Sequence, residues 1–204
     1  MELGSRDVEE VLGARHGMWP ERKIAFRGRL EHLRRLGCPP GLNTGKGRPA
    51  VFGWKQFIEL SLALDFINLG MTPEHASRVI KDHQTSLKDA LVSLPVRLGS
   101  REDLRQAAQI EKWPIDRTLF LLVGVNALAA LETPGSADTP GLGIVEGRLI
   151  NVWLRGASAH QSANVVVDLG TRIANLLLLT SRWGKRNVAD ITNDFFDWAE
   201  GNGP

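Results

Sequence analysis

Apolar side chains recur at the three- and four-residue spacing of helices through the first part of the chain, which predicts two helices separated by a break. The first helix is predicted over 7–12, where acidic residues in the first turn suit the helix dipole. The second is predicted over about 22–36 and ends at Gly37. Four apolar residues form one stripe along the second helix, and this stripe must face a core: Phe26, Leu30, Leu33 and Leu36.

The strongest helix signal in the chain covers residues 54–69. It carries two separate rows of apolar side chains, so both of its sides must be buried. Thr72-Pro73 then supplies a capping hydroxyl followed by proline at the first helical position, which predicts a further helix through about residue 81. A short helix is predicted near 87–94, and Pro95 would end it.

The second half of the chain gives a mixed pattern of shorter signals. Residues 118–123 form a buried strand or a buried helix, and their periodicity fits both. Residues 133–143 predict an exposed loop, and the β-branched residues of 144–154 predict a hairpin. Residues 158–183 predict one long apolar helix that Ser158 can cap.

These signals together predict an α+β fold in three parts. A mainly helical part occupies 1–92. A polar connector occupies 93–113 and contains one helix over about 101–112. An α+β part occupies 114–204 and combines a short antiparallel sheet with the long apolar helix. With 204 residues, the chain can bury a sizeable core in one domain or in two small ones.

Positive charge is concentrated in one short segment. The whole chain has a net charge of +2, but residues 22–55 contain nine Lys or Arg and one Glu, a net charge of +8. Residues 1–21 and 56–204 each carry a net charge of −3. A cationic surface of this kind attracts the phosphate backbone of nucleic acids, so the segment is a candidate DNA-binding region.

The segment that follows the second helix is rich in glycine and proline and cannot be helical. Residues 37–53 predict a tight exposed hairpin with Lys46 and Arg48 at its tip, and Ala50-Val51-Phe52 is a candidate return strand. A helix has the right width for the major groove, and a basic hairpin tip can reach the backbone or the minor groove. The order of these elements therefore suits duplex DNA.

The same order resembles the winged-helix domain of MerR-type regulators, over roughly residues 6–80. In that family a recognition helix ends in a Leu-Pro-Pro-like turn, and a basic wing with an aromatic residue follows. The next helix runs into a glycine turn and a short further helix. The stretches that carry the resemblance are Leu33-Arg-Arg-Leu-Gly-Cys-Pro-Pro40, Gly45-Lys-Gly-Arg48, Phe52, Phe57 to Leu69, and Gly70-Met-Thr-Pro-Glu-His-Ala-Ser-Arg-Val-Ile80.

Three features depart from the family pattern. The chain has no Tyr, so the Arg-Tyr-Tyr of the family's recognition helix is absent. Pro95 and Gly99 interrupt the region where the family has a long coiled-coil helix. Cys38 is the single cysteine, so a cysteine metal sensor of the mercury type is excluded. DNA binding therefore carries over from the resemblance, and metal sensing does not.

The resemblance implies that basic residues of the second helix and of the wing bind DNA. Contacts from arginine to guanine discriminate between base pairs by about 1–3 kcal/mol, whereas phosphate contacts set the register. The implied contacts are Lys23 and Arg27 in or beside the major groove, Arg34 on phosphate, Lys46 and Arg48 at the wing, and Lys55 on the backbone.

The leading interpretation is a sequence-specific DNA-binding transcriptional regulator, with a recognition helix in the major groove and a basic wing on the backbone or minor groove. Its C-terminal part would dimerise or sense an effector. One alternative is an excisionase-like or architectural protein that bends DNA and needs no sensor. Another is a small-molecule enzyme or ligand-binding protein whose basic region meets an acidic partner.

Signals for other chemistry are weak. Gly45-Lys46-Gly47 lacks the spacing of a phosphate-binding loop. The histidines and Cys38 do not have the spacing of a zinc site, so no metal and no cofactor are expected. Ser158-Ala-His160 is explained more simply by helix capping than by nucleophilic catalysis. We therefore expect no catalytic residues and no enzyme activity.

The sequence also gives expectations about location and assembly. It shows no secretion leader and no membrane-spanning stretch, and one cysteine cannot form an intrachain disulfide, so a cytoplasmic protein is expected. Residues 158–183 carry more apolar side chains than a small half-domain easily covers. That excess, together with the two-fold symmetry of many DNA readers, predicts a homodimer.

The wing assignment is tested by replacing Lys46 and Arg48 together with Ala. We expect weaker binding to every DNA sequence and a flatter dependence of affinity on salt, because fewer counterions are released. Titrations of a genomic site at several salt concentrations measure both effects. An affinity equal to that of the wild type at every salt concentration would show that the wing assignment is wrong.

Overall fold

The computed structural model has an α+β fold, as the sequence predicts. It describes residues 1–18, 20–42, 49–124, 142–152 and 164–201. The helices are α1 (Ser5–Arg15), α2 (Lys23–Arg35), α3 (Trp54–Asn68), α4 (Pro73–Asp82), α5 (Gln84–Leu98), α6 (Arg101–Gln109), α7 (Leu169–Gly184) and α8 (Val188–Ala199). The strands are β1 (Leu3–Gly4), β2 (Val51–Phe52), β3 (Leu119–Gly124), β4 (Leu142–Glu146) and β5 (Asn164–Asp168).

The helices predicted in the first part of the chain are confirmed. The apolar row of α2 is buried at Phe26, Leu30 and Leu33, and α2 contacts α1 and α4. The helix α3 is buried on two sides, from Trp54 to Phe66. Thr72 caps α4, since its hydroxyl accepts a hydrogen bond from the backbone N–H of His75 at 3.2 Å.

The helix α5 is longer than the sequence predicts. It continues through Pro95 and ends at Gly99, which has a left-handed φ of +94°. Proline removes one backbone hydrogen bond from a helix. Leu91, Leu94 and Leu98 are all buried on the same core, so their burial holds the backbone helical across Pro95. The predicted end at Pro95 is therefore wrong.

Two small antiparallel sheets complete the described part of the fold. The strand β2, the candidate return strand of the basic hairpin, pairs with β1 at the start of the chain, with Leu3 opposite Phe52. The other sheet has the order β4-β3-β5. Residues 119–124 form a strand, so the strand is correct and the helix wrong among the two alternatives predicted for 118–123. The strand β3 is the buried central strand of this sheet.

The hairpin predicted over 144–154 is wrong. The strand β4 pairs with β3, and a turn of 3-10 helix follows it at Gly147–Leu149. Gly147 donates its backbone N–H to the carbonyl of Thr118 at 2.9 Å, and a Cβ at Gly147 would lie 1.6 Å from the carbonyl oxygen of Ile115. This close approach of two backbones turns the chain away from a second hairpin strand.

The single long helix predicted over 158–183 is also wrong. Residues 164–168 form β5, since their β-branched valines suit a strand that pairs with β3 and buries Val167, and α7 starts only at Leu169. Asp168 caps α7 by accepting the backbone N–H of Thr171 at 3.0 Å, and it also accepts the hydroxyl of Thr118 at 2.6 Å. Other predictions fall on residues outside the described part of the chain: the Ser158 cap, the 133–141 loop, Lys46 and Arg48.

One hydrophobic core crosses both predicted part boundaries. The helix α6, in the predicted connector, packs against α7 and α8, and α1 packs against α7. Leu33, Leu104 and Ile173, one from each predicted part, belong to the same core cluster. The ring of Trp54 also meets Phe195 edge-on, with 5.1 Å between centroids. The described elements of the three parts therefore share a core.

A buried ion pair lies where α1, α3 and α7 meet. Arg15 Nη2 lies 2.9 Å from Asp65 Oδ2, and the two side chains are 4% and 6% exposed. Arg15 also donates to Asn175 Oδ1 at 2.8 Å, and Arg172 Nη1 lies 3.6 Å from Asp65 Oδ1. Burial lowers the pKa of Arg15, and the charge of Asp65 opposes that shift.

Two glycines are expected to respond in opposite ways to alanine. A Cβ at Gly170 would lie 2.5 Å from both Thr118 Oγ1 and Trp113 Cγ, so Gly170→Ala should lower the free energy of unfolding by about 1–3 kcal/mol. Gly28 lies inside α2, exposed, with open space around its Cβ position, so Gly28→Ala should raise that free energy by about 0.5–1 kcal/mol. Urea unfolding measures the free energy of unfolding of both variants. Changes of the same sign in the two variants would contradict the close packing at Gly170 or the open space at Gly28.

Candidate nucleic-acid interface

The helix α2 presents a strongly cationic surface. Its 13 residues include five Lys or Arg and one Glu, a net charge of +4 with His neutral. Because Phe26, Leu30 and Leu33 face the core, the charged residues are left toward solvent. Lys23, Arg27, Arg29 and Arg35 are exposed, and Arg34 is half-buried.

A groove of about 480 Å³ runs between α1 and α2. Apolar residues of α1, α2, β2 and α3 line part of it: Val8, Leu30, Phe52 and Leu60. Its charged and polar lining consists of Ser5, Arg6, Glu9, Lys23, Arg27, Glu31 and Arg34. The fold therefore brings together three of the predicted DNA-binding residues: Lys23, Arg27 and Arg34.

Contacts from α4 hold the C-terminal end of α2. Lys81 Nζ and the hydroxyl of Ser77 both donate to the carbonyl oxygen of Leu36, the hydroxyl at 3.4 Å. His32 Nε2 lies 3.1 Å from Glu74 Oε1. Since the last carbonyls of a helix have no partner within it, these donors stabilise the end of α2 and anchor it to the next part of the fold.

Arg27 already has a protein partner. Its Nε donates to Glu9 Oε2 at 2.9 Å and its Nη2 donates to Glu9 Oε1 at 3.1 Å. These hydrogen bonds raise the pKa of Arg27. The Arg27 side chain is 57% exposed, whereas Glu9 is nine-tenths buried. The pair thus fixes a cation at the rim of the groove while one edge of its guanidinium stays accessible.

Lys55, another predicted contact, is not among the residues that line this groove. Lys55 Nζ lies 3.5 Å from Glu59 Oε1, and the Lys55 side chain is 24% exposed. A phosphate contact by Lys55 would therefore compete with a carboxylate of its own helix. Lys46 and Arg48, at the predicted wing tip, lie outside the described residues, so their placement in the wing stays a prediction.

Sequence reasoning missed several groove residues. Glu9 lies beside Val8 on the buried side of α1, and that position is the sequence signal that could have identified it. It was missed because an acidic residue was not expected in a cationic surface. Outside the groove lining, Arg22 and Arg29 fall on the edge of the apolar stripe at helical spacing, and both are exposed. Arg22, Lys23, Arg29 and Arg34 form no ion pair with any residue that the structure describes, so their charges are available to a ligand.

Cys38 and Glu59 are buried ionisable residues whose pKa values are raised. Burial raises the pKa of the Cys38 thiol to about 12, and the charge of Glu59 adds to the shift. The thiol is therefore protonated near neutral pH and is a poor nucleophile. Burial also raises the pKa of Glu59 to about 7, and nearby Lys55 opposes that shift.

Other kinds of site were sought across the described residues. In that part of the chain, no three or more His, Cys, Asp or Glu side chains are grouped so that they could hold a metal ion. Among the helices described, none combines the length and the apolar character needed to span a membrane. Comparison with protein-family models, curated proteins and solved structures found no match to this chain.

The raised pKa of Glu59 predicts a pH-dependent effect of Glu59→Gln. A carboxyl whose folded-state pKa lies above its unfolded value of 4.5 favours folding while protonated, and that contribution is lost as pH rises from 4.5 through about 7. The stability of Glu59→Gln relative to wild type should therefore increase by about 3 kcal/mol between pH 4 and pH 8.

Urea unfolding at several pH values measures this difference. Glu21→Gln, at an exposed position, is the matched control and should give a difference from the wild type that barely changes with pH. If the difference between Glu59→Gln and the wild type were also constant with pH, Glu59 would not carry a raised pKa.

Proposed function

We propose that the chain is a sequence-specific DNA-binding transcriptional regulator of the cytoplasm whose α2 enters the major groove. The observation that carries this proposal is the groove between α1 and α2, where Lys23, Arg27 and Arg34 lie together on a helix whose opposite side is core. A helix fits the width of the major groove, and neutralising phosphates by Lys and Arg releases counterions and supplies affinity.

The cations divide into two kinds by their protein contacts. Lys23 and Arg34 have no ion-pair partner among the described residues, so they are suited to phosphates, which set register. Arg27 is held by Glu9 and is suited to a contact of fixed geometry.

The order of elements supports a winged helix of the MerR-like kind. The helices α1 and α2 are followed by β2, by the buried α3 and by α4, which is the order of the resemblance. The pairing of β2 with β1 gives the predicted wing a fixed base next to the groove. We propose that Lys46 and Arg48 of the wing contact the backbone or the minor groove, with Lys55 on the backbone beside them.

We propose that the protein acts as a homodimer on near-palindromic sites. The apolar residues of α7 do not supply the contact surface of the dimer, because most of them lie in the core. Of the large apolar side chains of α7, Trp183 is the one left exposed. The residues after 113 would provide dimerisation or sensing, with the effector as a partner still to be identified by experiment.

The groove cations are tested by Lys23→Ala/Arg34→Ala. If each neutralises one phosphate, the slope of log affinity against log salt should fall in magnitude by roughly 2, with weaker binding to all sequences. Lys88→Ala/Lys112→Ala is the matched control, since it also removes two cations, but from exposed positions on α5 and after α6. Equal slopes for the two double variants would contradict the proposal.

Genome-wide immunoprecipitation with sequencing separates the regulator from the alternatives. A few sharp, near-palindromic sites are expected for a regulator, because base contacts specify position. Broad coverage would instead support an architectural or excisionase-like protein. An absence of enriched DNA would exclude both and leave a protein whose basic region meets another acidic partner.

A further inference from the structure

Glu9 is a buried carboxylate on a surface that otherwise favours anions. It lies in the middle of α1, lines the groove, and is 9% exposed. Both of its oxygens accept hydrogen bonds from one guanidinium, that of Arg27 on α2, at 2.9 Å and 3.1 Å. Its negative charge opposes the attraction of DNA phosphate, so it would lower affinity if affinity were its only effect.

The geometry of this pair leaves a defined part of Arg27 unused. A guanidinium carries five N–H donors in a plane. Glu9 takes one from Nε and one from Nη2, and no other described residue accepts from Arg27. The three remaining donors include the outer fork formed by Nη1 and Nη2. That fork can donate two parallel hydrogen bonds to a pair of acceptors.

We propose that Glu9 is a positioning residue that holds the outer fork of Arg27 for one guanine in the major groove. This inference rests on the proposed DNA-binding function and adds to it the residue that sets discrimination at one base pair. The O6 and N7 atoms of guanine are the acceptor pair that a guanidinium fork matches. Glu9 limits the rotamers of Arg27 before DNA binds, so less side-chain entropy is lost on contact.

A guanine fits this arginine better than a phosphate does. Phosphate contacts do not depend on base identity and can be made by untethered side chains, and Lys23 and Arg34 already line the same groove. A cation anchored to a buried carboxylate has its donors in one plane and at one place. Donors fixed in this way bind most favourably to acceptors whose own positions are fixed, and the acceptors on the edge of a paired base are fixed.

The test begins with selection of bound duplexes from a random library by the wild-type chain. Affinities for the selected site and for each single base-pair change within it are then compared among the wild type, Glu9→Gln and Arg27→Lys. Gln keeps the size of Glu9 but cannot accept two hydrogen bonds in this manner, and Lys keeps the charge of Arg27 without the fork. Circular dichroism recorded during thermal unfolding shows whether each variant remains folded.

Glu10→Gln is the matched control. Glu10 is the next residue of α1, and the substitution makes the same change of charge, but its partner is the exposed Arg6, at 3.2 Å. Both Gln variants should bind non-specific DNA slightly more tightly, because each removes a negative charge. Only Glu9→Gln and Arg27→Lys should lose discrimination, at one and the same G·C pair, by roughly tenfold. The double variant Glu9→Gln/Arg27→Lys should lose no more discrimination than Arg27→Lys alone, because the two substitutions act through one contact.

The outcomes separate this inference from the function on which it rests. A wild-type chain that enriches no sequence overturns both. A wild-type chain that enriches a site, with discrimination unchanged in Glu9→Gln, overturns only the role of Glu9. Uniform weakening on all base-pair variants also overturns it, since that is the effect of a tether between α1 and α2 or of a phosphate contact. If Glu9→Gln unfolds, Arg27→Lys, at an exposed position, provides the test. Loss of discrimination at one G·C pair supports a contact between the Arg27 fork and guanine, and an equal loss of affinity for all sequences overturns the proposal.

Discussion

Arg15 and Asp65 form an ion pair in the middle of the molecule, with side chains 4% and 6% exposed. Removing two charges from water is costly, and the cost is offset only while both partners and their hydrogen bonds are present. Arg15 ends α1, Asp65 belongs to α3, and Arg172 and Asn175 bring α7 to the same point. The helix that forms one wall of the groove is thereby held to the central helix and to the C-terminal part. The position of the groove depends on this pair.

Three buried carboxylates show three different solutions to the same physical problem. Asp65 is neutralised by a buried arginine. Glu9 is neutralised by Arg27, which is itself more than half exposed, so its buried charge fixes a cation at the surface. Glu59 has Lys55 at 3.5 Å and no hydrogen-bond partner among the described residues, so burial raises its pKa to about 7. The environment of each carboxylate, and not its residue type, therefore decides its role.

Much of the first part of the chain follows from local pattern. The stripe through Phe26, Leu30 and Leu33 predicted the burial of one side of α2. Lys23 and Arg27 lie off that stripe at helical spacing, so their exposure follows from the sequence. Their gathering with Arg34 around one groove could not be predicted, because α1 supplies the opposite wall. The Glu9–Arg27 pair joins residues 18 apart on two helices, and no local periodicity encodes such a contact.

The second part of the chain was predicted less well, for a physical reason. A run such as Val165 to Leu179 is apolar enough for a buried strand or a buried helix, and tertiary neighbours decide between them. The central strand β3 recruits Val165–Val167 into the sheet, and Asp168 starts a new helix at the point where Thr118 can donate to it. Pro95 stays helical because the leucines around it are buried together. The sequence by itself determined the amphipathic helices of the first part of the chain, the Thr72 cap and the concentration of positive charge, since these arise between residues close along the chain. Only the tertiary structure decided strand pairing, buried charge pairing and the groove, since these depend on contacts between distant segments.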